Sequence, residues 1–512
     1  MAKKVFIKAF SFVICSVMTV MALAGCTGTD DTLKNNEGWN SMGENYNDAE
    51  MLKLTLDESI TYQTVESFGA SGAWWSQDVG GWSETNDNGT ELREEIATLL
   101  FDSENGIGLT AYRYNVGGGT ADSGASFDGI TDVWRRAESF EVEPGVYDWT
   151  KDENAVWFLT KAKDMGVEEI VFFCNSPIER LTKNGKGFGD ATDGDESTSN
   201  LPRENYRAFS EYVMDVVEHF VSEGYPVKYI SPINEPQWEW TGGQEGCHYE
   251  PEEMVEFLNV FLDVMEERNI EDVELSAPEL GEWGNTSYPY YEALFADERL
   301  KASIKTLDVH SYWSDSSSKE QFLNWLNGKG INDIELKMSE WCEMVNGKDT
   351  TMDSAINLAL EINTDMTKLN VTSWQYWIAV SCYNYRDGLI YVNKSTKDVW
   401  ETKRLWAMGN YSRFVRPGYT RVECSVDSSL LPVSAYKGTD ENGKENLVIV
   451  AVNGTVGDYS LDITSLEGWS GGSVYVTDSN HSLEKTQDID NESKSVTIPA
   501  MSVVTVTLCN ED

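Results

Sequence analysis

Positive charge is what this chain has least of. Its 512 residues carry 39 Lys and Arg against 86 Asp and Glu, a formal net charge of −47. Such a surface repels nucleic acid and anionic lipid, so neither is an expected partner. The eight Cys contain no C-x-x-C spacing, which argues against a zinc ribbon. Cys15 and Cys26 lie near the N-terminus. The other six are Cys174, Cys247, Cys342, Cys382, Cys424 and Cys509, and their spacing gives no pairing. Gly117-Gly118-Gly119 is followed by neither Lys-Ser/Thr nor a G-x-G-x-x-G pattern, so it is no phosphate cradle. The acidic run 190–196 lacks the spacing of a Ca²⁺ loop. No repeat of fixed period occurs. No metal and no cofactor are expected.

Long hydrophobic runs are missing too. The apolar stretch 9–24 is short for a membrane span and follows the basic start Lys3, Lys4 and Lys8. It ends in Leu23-Ala24-Gly25-Cys26, which resembles a bacterial lipobox. Residues 1–25 are therefore expected to be a lipoprotein signal peptide, with lipidation at Cys26. Residues 26–50, polar and rich in Asn, Asp, Glu and Gly, are expected to be a flexible tether. The expectation is an exported monomer on the cell surface or membrane, touching lipid only through this anchor, or otherwise secreted.

Aromatic residues are abundant: 18 Trp, 23 Tyr and 18 Phe. Most are expected in the core, but sugars also bind on aromatic faces. From residue 68 to 414, short apolar runs alternate with segments of helical spacing. Strands are expected at 68–75, 109–115, 169–173, 229–235, 273–277, 304–310, 335–339 and 371–378. Pro278 is expected to stop the fifth. Eight such units predict a (β/α)₈ TIM barrel over 67–416; an open doubly wound sheet would call for a ligand fingerprint that is lacking. After Arg416-Pro417-Gly418 only strand-like runs remain, so 417–512 is expected to be a C-terminal β-sandwich. Two N-terminal strands within 51–66, at 52–56 and 60–64, are expected to complete it.

The chemistry gathers at predicted strand ends, which converge on one rim in a barrel. The run Tyr229-Ile230-Ser231-Pro232-Ile233 ends in Asn234-Glu235-Pro236, and Glu340 closes a later strand. Two carboxylates on two strand ends suggest glycoside hydrolysis, and retaining enzymes hold them about 5–5.5 Å apart. Glu340 is the expected nucleophile, kept ionised by Arg113 and Tyr312. Glu235 is the expected acid/base. Asn234 would bond the sugar 2-hydroxyl, and Trp377 would floor the ring. Trp75, Asn175, Trp238 and His310 complete the expected substrate-binding set. The partner is a polysaccharide or oligosaccharide.

These pieces resemble glycoside hydrolase family 30. The matching residues are Glu66-Ser67-Phe68-Gly69, Tyr112-Arg113-Tyr114-Asn115, Asn234-Glu235-Pro236, His310-Ser311-Tyr312, Ser339-Glu340 and the join Arg416-Pro417-Gly418. The resemblance implies a retaining mechanism and a side β domain with an N-terminal contribution. Gly72-Ala73-Trp74-Trp75, Asn175-Ser176-Pro177 and the stretch from Trp240 to Cys247 look most like the endo-β-1,6-galactanase branch, which implies action on galactan or arabinogalactan side chains. Other readings stay open: an exo-β-glycosidase, a glucosylceramidase-like enzyme or a xylanase of the family, or a non-catalytic glycan-binding lipoprotein. Gly468-Trp469-Ser470-Gly471-Gly472 formally matches a serine-hydrolase elbow, which needs a strand before it and a helix after it.

Overall fold

A computed structural model describes residues 49–510 except 190–198, 271, 441, 467, 470 and 491. The signal segment, Cys26, most of the tether, the acidic run 190–196 and Ser470 lie outside the described residues.

Among the described residues strand β1 (Glu50–Thr64) comes first, followed by eight strands that close a parallel barrel in sequence order. These are β2 (Ser67–Ser71), β3 (Ala111–Asn115), β4 (Glu169–Phe173), β5 (Val227–Ser231), β6 (Glu274–Leu280), β7 (Thr306–Val309), β8 (Glu335–Trp341) and β9 (Ser373–Tyr376). They are short and buried on both faces, because helices cover the barrel: all five residues of β4, Glu-Ile-Val-Phe-Phe, are buried. The helix Tyr206–Ser222 buries Phe209, Val213, Val216, Val217 and Phe220 on one stripe, the spacing that seats a helix on a sheet. The helix Pro251–Arg268 starts with a reciprocal Glu250/Glu253 capping box and Pro in its first turn.

Strand β6 departs from expectation. Pro278 does not end it; the strand runs on to Leu280. Proline lacks a ladder N–H and is tolerated at bulges. The pairing of β6 with β7 slips between Pro278 and Leu280, and the extra residue, Glu279, sits at φ 51. The bulge thus carries a carboxylate to the barrel mouth.

The side domain follows as β10 (Thr420–Val426), β11 (Val433–Thr439), β12 (Glu445–Asn453), β13 (Tyr459–Asp462), β14 (Gly471–Thr477), β15 (Glu484–Ile489), β16 (Ser495–Ile498) and β17 (Ser502–Cys509). With β1 the order is β15-β14-β17-β12-β11-β10-β1-β13-β16. The sheet curls into a sandwich around Leu52, Leu54, Ile449, Leu461 and Val506. The two expected N-terminal strands are one: β1 passes its middle as an irregularity between Asp57 and Thr61 and stays paired to β10 on both sides of it. Its first residues pair in parallel with β13. At the join, Arg416 donates to the carbonyls of Gly108 (2.6 Å) and Ser412 (2.8 Å), and Gly418 turns at φ 87. Strand β14 begins at Gly471, where a serine-hydrolase elbow would call for a helix.

Candidate active site

Glu235 lies four residues beyond β5, at φ 43. Its N–H donates to the Glu279 carbonyl (2.8 Å), and its own carbonyl accepts from the Trp240 indole (3.2 Å). The loop after the strand is thereby pinned, and the Glu235 side chain faces Glu340 on β8. One oxygen of Glu235, one of Glu340 and a ring nitrogen of His310 lie within 4.8 Å of one another. So close an approach of two carboxylate oxygens is compatible with the about 5–5.5 Å carboxyl separation of retaining hydrolases.

Arg113, fully buried on β3, ties the site together. It donates to Glu340 Oε2 at 2.6 Å and Asn234 Oδ1 at 3.0 Å, and stands 3.3 Å from Glu279 Oε1. Its guanidinium lies 3.6 Å from the centre of the Phe173 ring. Asn234 passes a hydrogen bond to Asn175 (3.2 Å), and Asn175 passes one to Asn115 (3.2 Å). Tyr312 donates to Glu340 Oε1 at 3.2 Å. His310 sits between carboxylates, with Nδ1 3.0 Å from Glu235 Oε1 and Nε2 3.0 Å from Glu279 Oε2.

Glu279 is the member that sequence reasoning missed. It is fully buried and meets Arg113, His310 and the Ser339 hydroxyl. The signal was present as a Glu directly after an apolar strand, but Pro278 was read as the strand's end.

The charges decide the protonation of the cluster. Burial disfavours the His310 imidazolium, but the carboxylates of Glu340, Glu235 and Glu279 outweigh it and raise the ring to about 10. Burial likewise opposes ionised Glu279, but Arg113, His310 and Ser339 bring it down to about 2. At Glu340 burial pushes upward, His310 and Arg113 pull down, and Glu235 pushes up again; the balance is upward. Two cations thus face three carboxylates. Full ionisation would leave a net negative charge buried, which is costly. A divalent cation bound between Glu235, His310 and Glu340 would meet the Arg113 guanidinium already seated on Glu340.

The aromatic residues divide. Trp377 lies at the end of β9, edge-on to Trp74 with centroids 5.0 Å apart. Trp74 in turn packs under the Arg135 guanidinium (4.8 Å), which also covers Tyr383 (4.7 Å). Trp75 is not brought to this cluster. It is fully buried, donates to the Ser71 carbonyl (2.8 Å) and packs on Phe158 (4.5 Å). Both residues lie in the turn between β2 and the helix Ser76–Val79, where Trp74 packs on Trp377 and Trp75 on Phe158 of the helix Glu153–Asp164. Trp238 is half-buried, edge-on to Trp313 at 5.6 Å.

Gly281 leaves room for the end of the Glu235 side chain. A Cβ there would stand 2.8 Å from Glu235 Oε1, 2.8 Å from Gln237 Nε2 and 2.9 Å from Trp238 Nε1. Gly281→Ala should therefore displace the Glu235 carboxyl and lower kcat/KM by about 10–100-fold, since a misplacement of about 1 Å in a catalytic group costs about 100-fold. Steady-state kinetics beside a thermal melt checks this; a variant of unchanged activity would mean that Glu235 has slack.

The family model described as O-Glycosyl hydrolase family 30 matches residues 51–297 and 334–391. An endo-beta-1,6-galactanase of Hypocrea rufa is 25% identical over 452 residues, covering 80% of this chain and 83% of that protein. A glucuronoxylanase XynC of Bacillus subtilis is 26% identical over 324 residues, 61% of this chain and 68% of that one. Among solved structures, a conserved exported protein from Bacteroides fragilis superposes with a TM-score of 0.77 at 24% identity, over 90% of this chain and 100% of that chain. The catalytic domain of GH30 xylanase C from Talaromyces cellulolyticus gives 0.68 at 18% identity, over 89% and 99%. With a model match over more than half its length and the barrel, side sandwich and paired carboxylates above, the chain belongs to O-glycosyl hydrolase family 30.

Proposed function

We propose that this family 30 hydrolase is a retaining endo-β-1,6-galactanase that cuts galactan or the side chains of arabinogalactan. The observation that carries the mechanism is the close but unequal carboxylate pair: Arg113 sits on Glu340 and not on Glu235. The guanidinium favours the charge on Glu340, against the burial and the neighbouring Glu235 that push its carboxyl upward; with Glu340 as nucleophile, the retaining mechanism takes Glu235 as the proton donor.

Glu340 then attacks the anomeric carbon while the glycosidic C–O bond breaks. Glu235 passes its proton to the leaving oxygen. In the second step Glu235, now a base, takes a proton from water; the water oxygen bonds the anomeric carbon and the Glu340 ester bond breaks, restoring both groups and the β configuration. Between the steps the Glu340 charge is gone, so Glu235 is no longer held against a neighbouring negative charge and can stay ionised. Asn234, locked between Arg113 and Asn175, is set to bond the 2-hydroxyl. Trp377 and Trp74 supply an apolar wall for the sugar.

The galactan reading is supported by the similarity to the Hypocrea rufa enzyme, which extends over most of both chains. The basic start, the apolar stretch and Leu23-Ala24-Gly25-Cys26 support export and attachment through a lipid on Cys26. The test is a panel of β-1,6-galactan, xylan and β-glucan, with products sized and their anomeric form followed by NMR. Galactan should yield a ladder of oligosaccharides of β configuration. Cleavage of xylan or β-glucan alone would overturn the substrate. Release of a single small sugar would mean an exo-enzyme. α products would overturn the retaining mechanism.

A further inference from the structure

A buried ion pair behind the site has no role in the steps above. Lys319, near the start of the helix Ser316–Lys329, and Asp365 are both fully buried, and the ammonium stands 2.7 Å from the carboxylate. Lys319 also meets Glu361. An ion pair taken out of water seldom adds stability over apolar packing of the same volume, so its presence calls for another account. Asp365 opens the π-helical turn Asp365–Leu369, which follows the helix Met352–Thr364. Such turns are rare, and many of them stand at functional sites.

Asp365 gathers three elements. Its carboxylate accepts from the Ser311 hydroxyl (3.1 and 3.2 Å to its two oxygens), from the Trp374 indole of β9 (3.0 Å) and from Lys319. Ser311 is the residue between His310 and Tyr312. Its hydroxyl in turn accepts from the Trp283 indole (2.8 Å), and its N–H donates to the Glu340 carbonyl (3.3 Å). On the other side of Tyr312, the Ser314 hydroxyl donates to the Tyr312 carbonyl and accepts from the Trp283 backbone N–H, both at 2.9 Å. Tyr312 is thus held from before and after. Trp313, which follows it, has a left-handed backbone at φ 50. A bulky residue is strained there, and such strain persists only where the surroundings over-determine it.

We propose that Asp365, acting through Ser311, is a positioning residue that sets the Tyr312 hydroxyl against Glu340. The inference rests on Glu340 being the nucleophile. Tyr312 donates to Glu340 Oε1 at 3.2 Å, already beyond the about 2.5–3.0 Å usual for an O–H···O bond. A further small shift breaks that bond. Without the Asp365 anchor the strained stretch 311–313 relaxes and takes the hydroxyl out of reach. Lys319 neutralises the charge that Asp365 brings into the interior.

The test is a double-mutant cycle on whichever glycan the wild type cuts, so it does not depend on the identity of the sugar. Ser311→Ala and Asp365→Asn should each lower kcat/KM about tenfold in an otherwise wild-type chain. In a Tyr312→Phe background, which has already lost the hydroxyl, each should cost less than about twofold. A merely structural role would lower the denaturant midpoint and leave the losses additive. Equal losses in both backgrounds, or no loss in either, would therefore overturn the positioning role. Should Asp365→Asn fail to fold, Ser311→Ala completes the cycle alone, since it keeps the ion pair. Glu340→Gln, measured beside them, separates the two kinds of failure. A fully active Glu340→Gln would overturn the nucleophile and this role with it; an inactive one beside additive losses would overturn the role alone.

Discussion

Glu235→Gln is expected to lower kcat/KM on polysaccharide by about 10²–10⁴-fold, the usual worth of a positioned general acid. Glu340→Gln should lower it further, because no covalent intermediate can form. The two losses should differ in kind. With a nitrophenyl glycoside the leaving group needs no proton, so Glu235→Gln should still form the glycosyl-enzyme. It then stalls, because no base activates water, and a rapid-mixing trace shows a burst of nitrophenolate followed by slow turnover. Glu340→Gln should show no burst. A burst in Glu340→Gln and none in Glu235→Gln would mean that the roles are exchanged. Full activity in both would end the two-carboxylate mechanism. Arg113 makes the unequal outcome physical, since its guanidinium donates to Glu340 at 2.6 Å.

Glu279→Gln should produce the second-largest effect, through residues it holds and not through contact with sugar. Gln keeps the shape but removes the charge that faces Arg113 and His310. Breaking a buried pair from one side costs about 3–5 kcal/mol. The variant should therefore unfold at lower denaturant and lose kcat/KM by about 100-fold, as expected when catalytic groups move by about 1 Å. Its pH dependence sets it apart from a merely loosened core. Glu279 is depressed to about 2 from 4.5, so its stabilisation is full above 4.5 and fades as pH falls toward 2. The stability gap between wild type and variant should narrow over that window. His310 is raised to about 10 from 6.5, so its stabilisation is full below 6.5 and is lost as pH rises toward 10. Without Glu279 the imidazolium has one carboxylate fewer, and the alkaline fall in activity should begin at lower pH. A pH–rate profile superposable on wild type would reduce Glu279 to packing.

Much of this was legible in the residues. Strand ends marked by Asn234-Glu235-Pro236 and by Glu340 could be recognised because parallel barrel strands are short, apolar and abruptly polar at their C-terminal ends. Glu279 was hidden because Pro278 carries opposite meanings in a regular strand and at a bulge, and only the pairing with β7 decides between them. Trp74 and Trp75 are adjacent and equally aromatic, and which of them meets Trp377 depends on how the chain leaves β2. The break drawn inside β1 followed the polar stretch after Leu56. A bulge lets a single strand pass through such a stretch while staying paired on both sides.

Strand β1 has a consequence for how the molecule comes into being. It lies between β10 and β13, so the side domain is assembled from the first and last parts of the described chain. The pair Leu54 and Val426 is separated by the whole barrel. The loop that must close is therefore hundreds of residues long, and such closures come late. During synthesis from the N-terminus, β1 waits unpaired until the barrel has emerged and the C-terminal strands follow. A chain cut short after the barrel would keep Glu235 and Glu340 yet leave the edges of β1 bare, an open template for strand pairing between molecules.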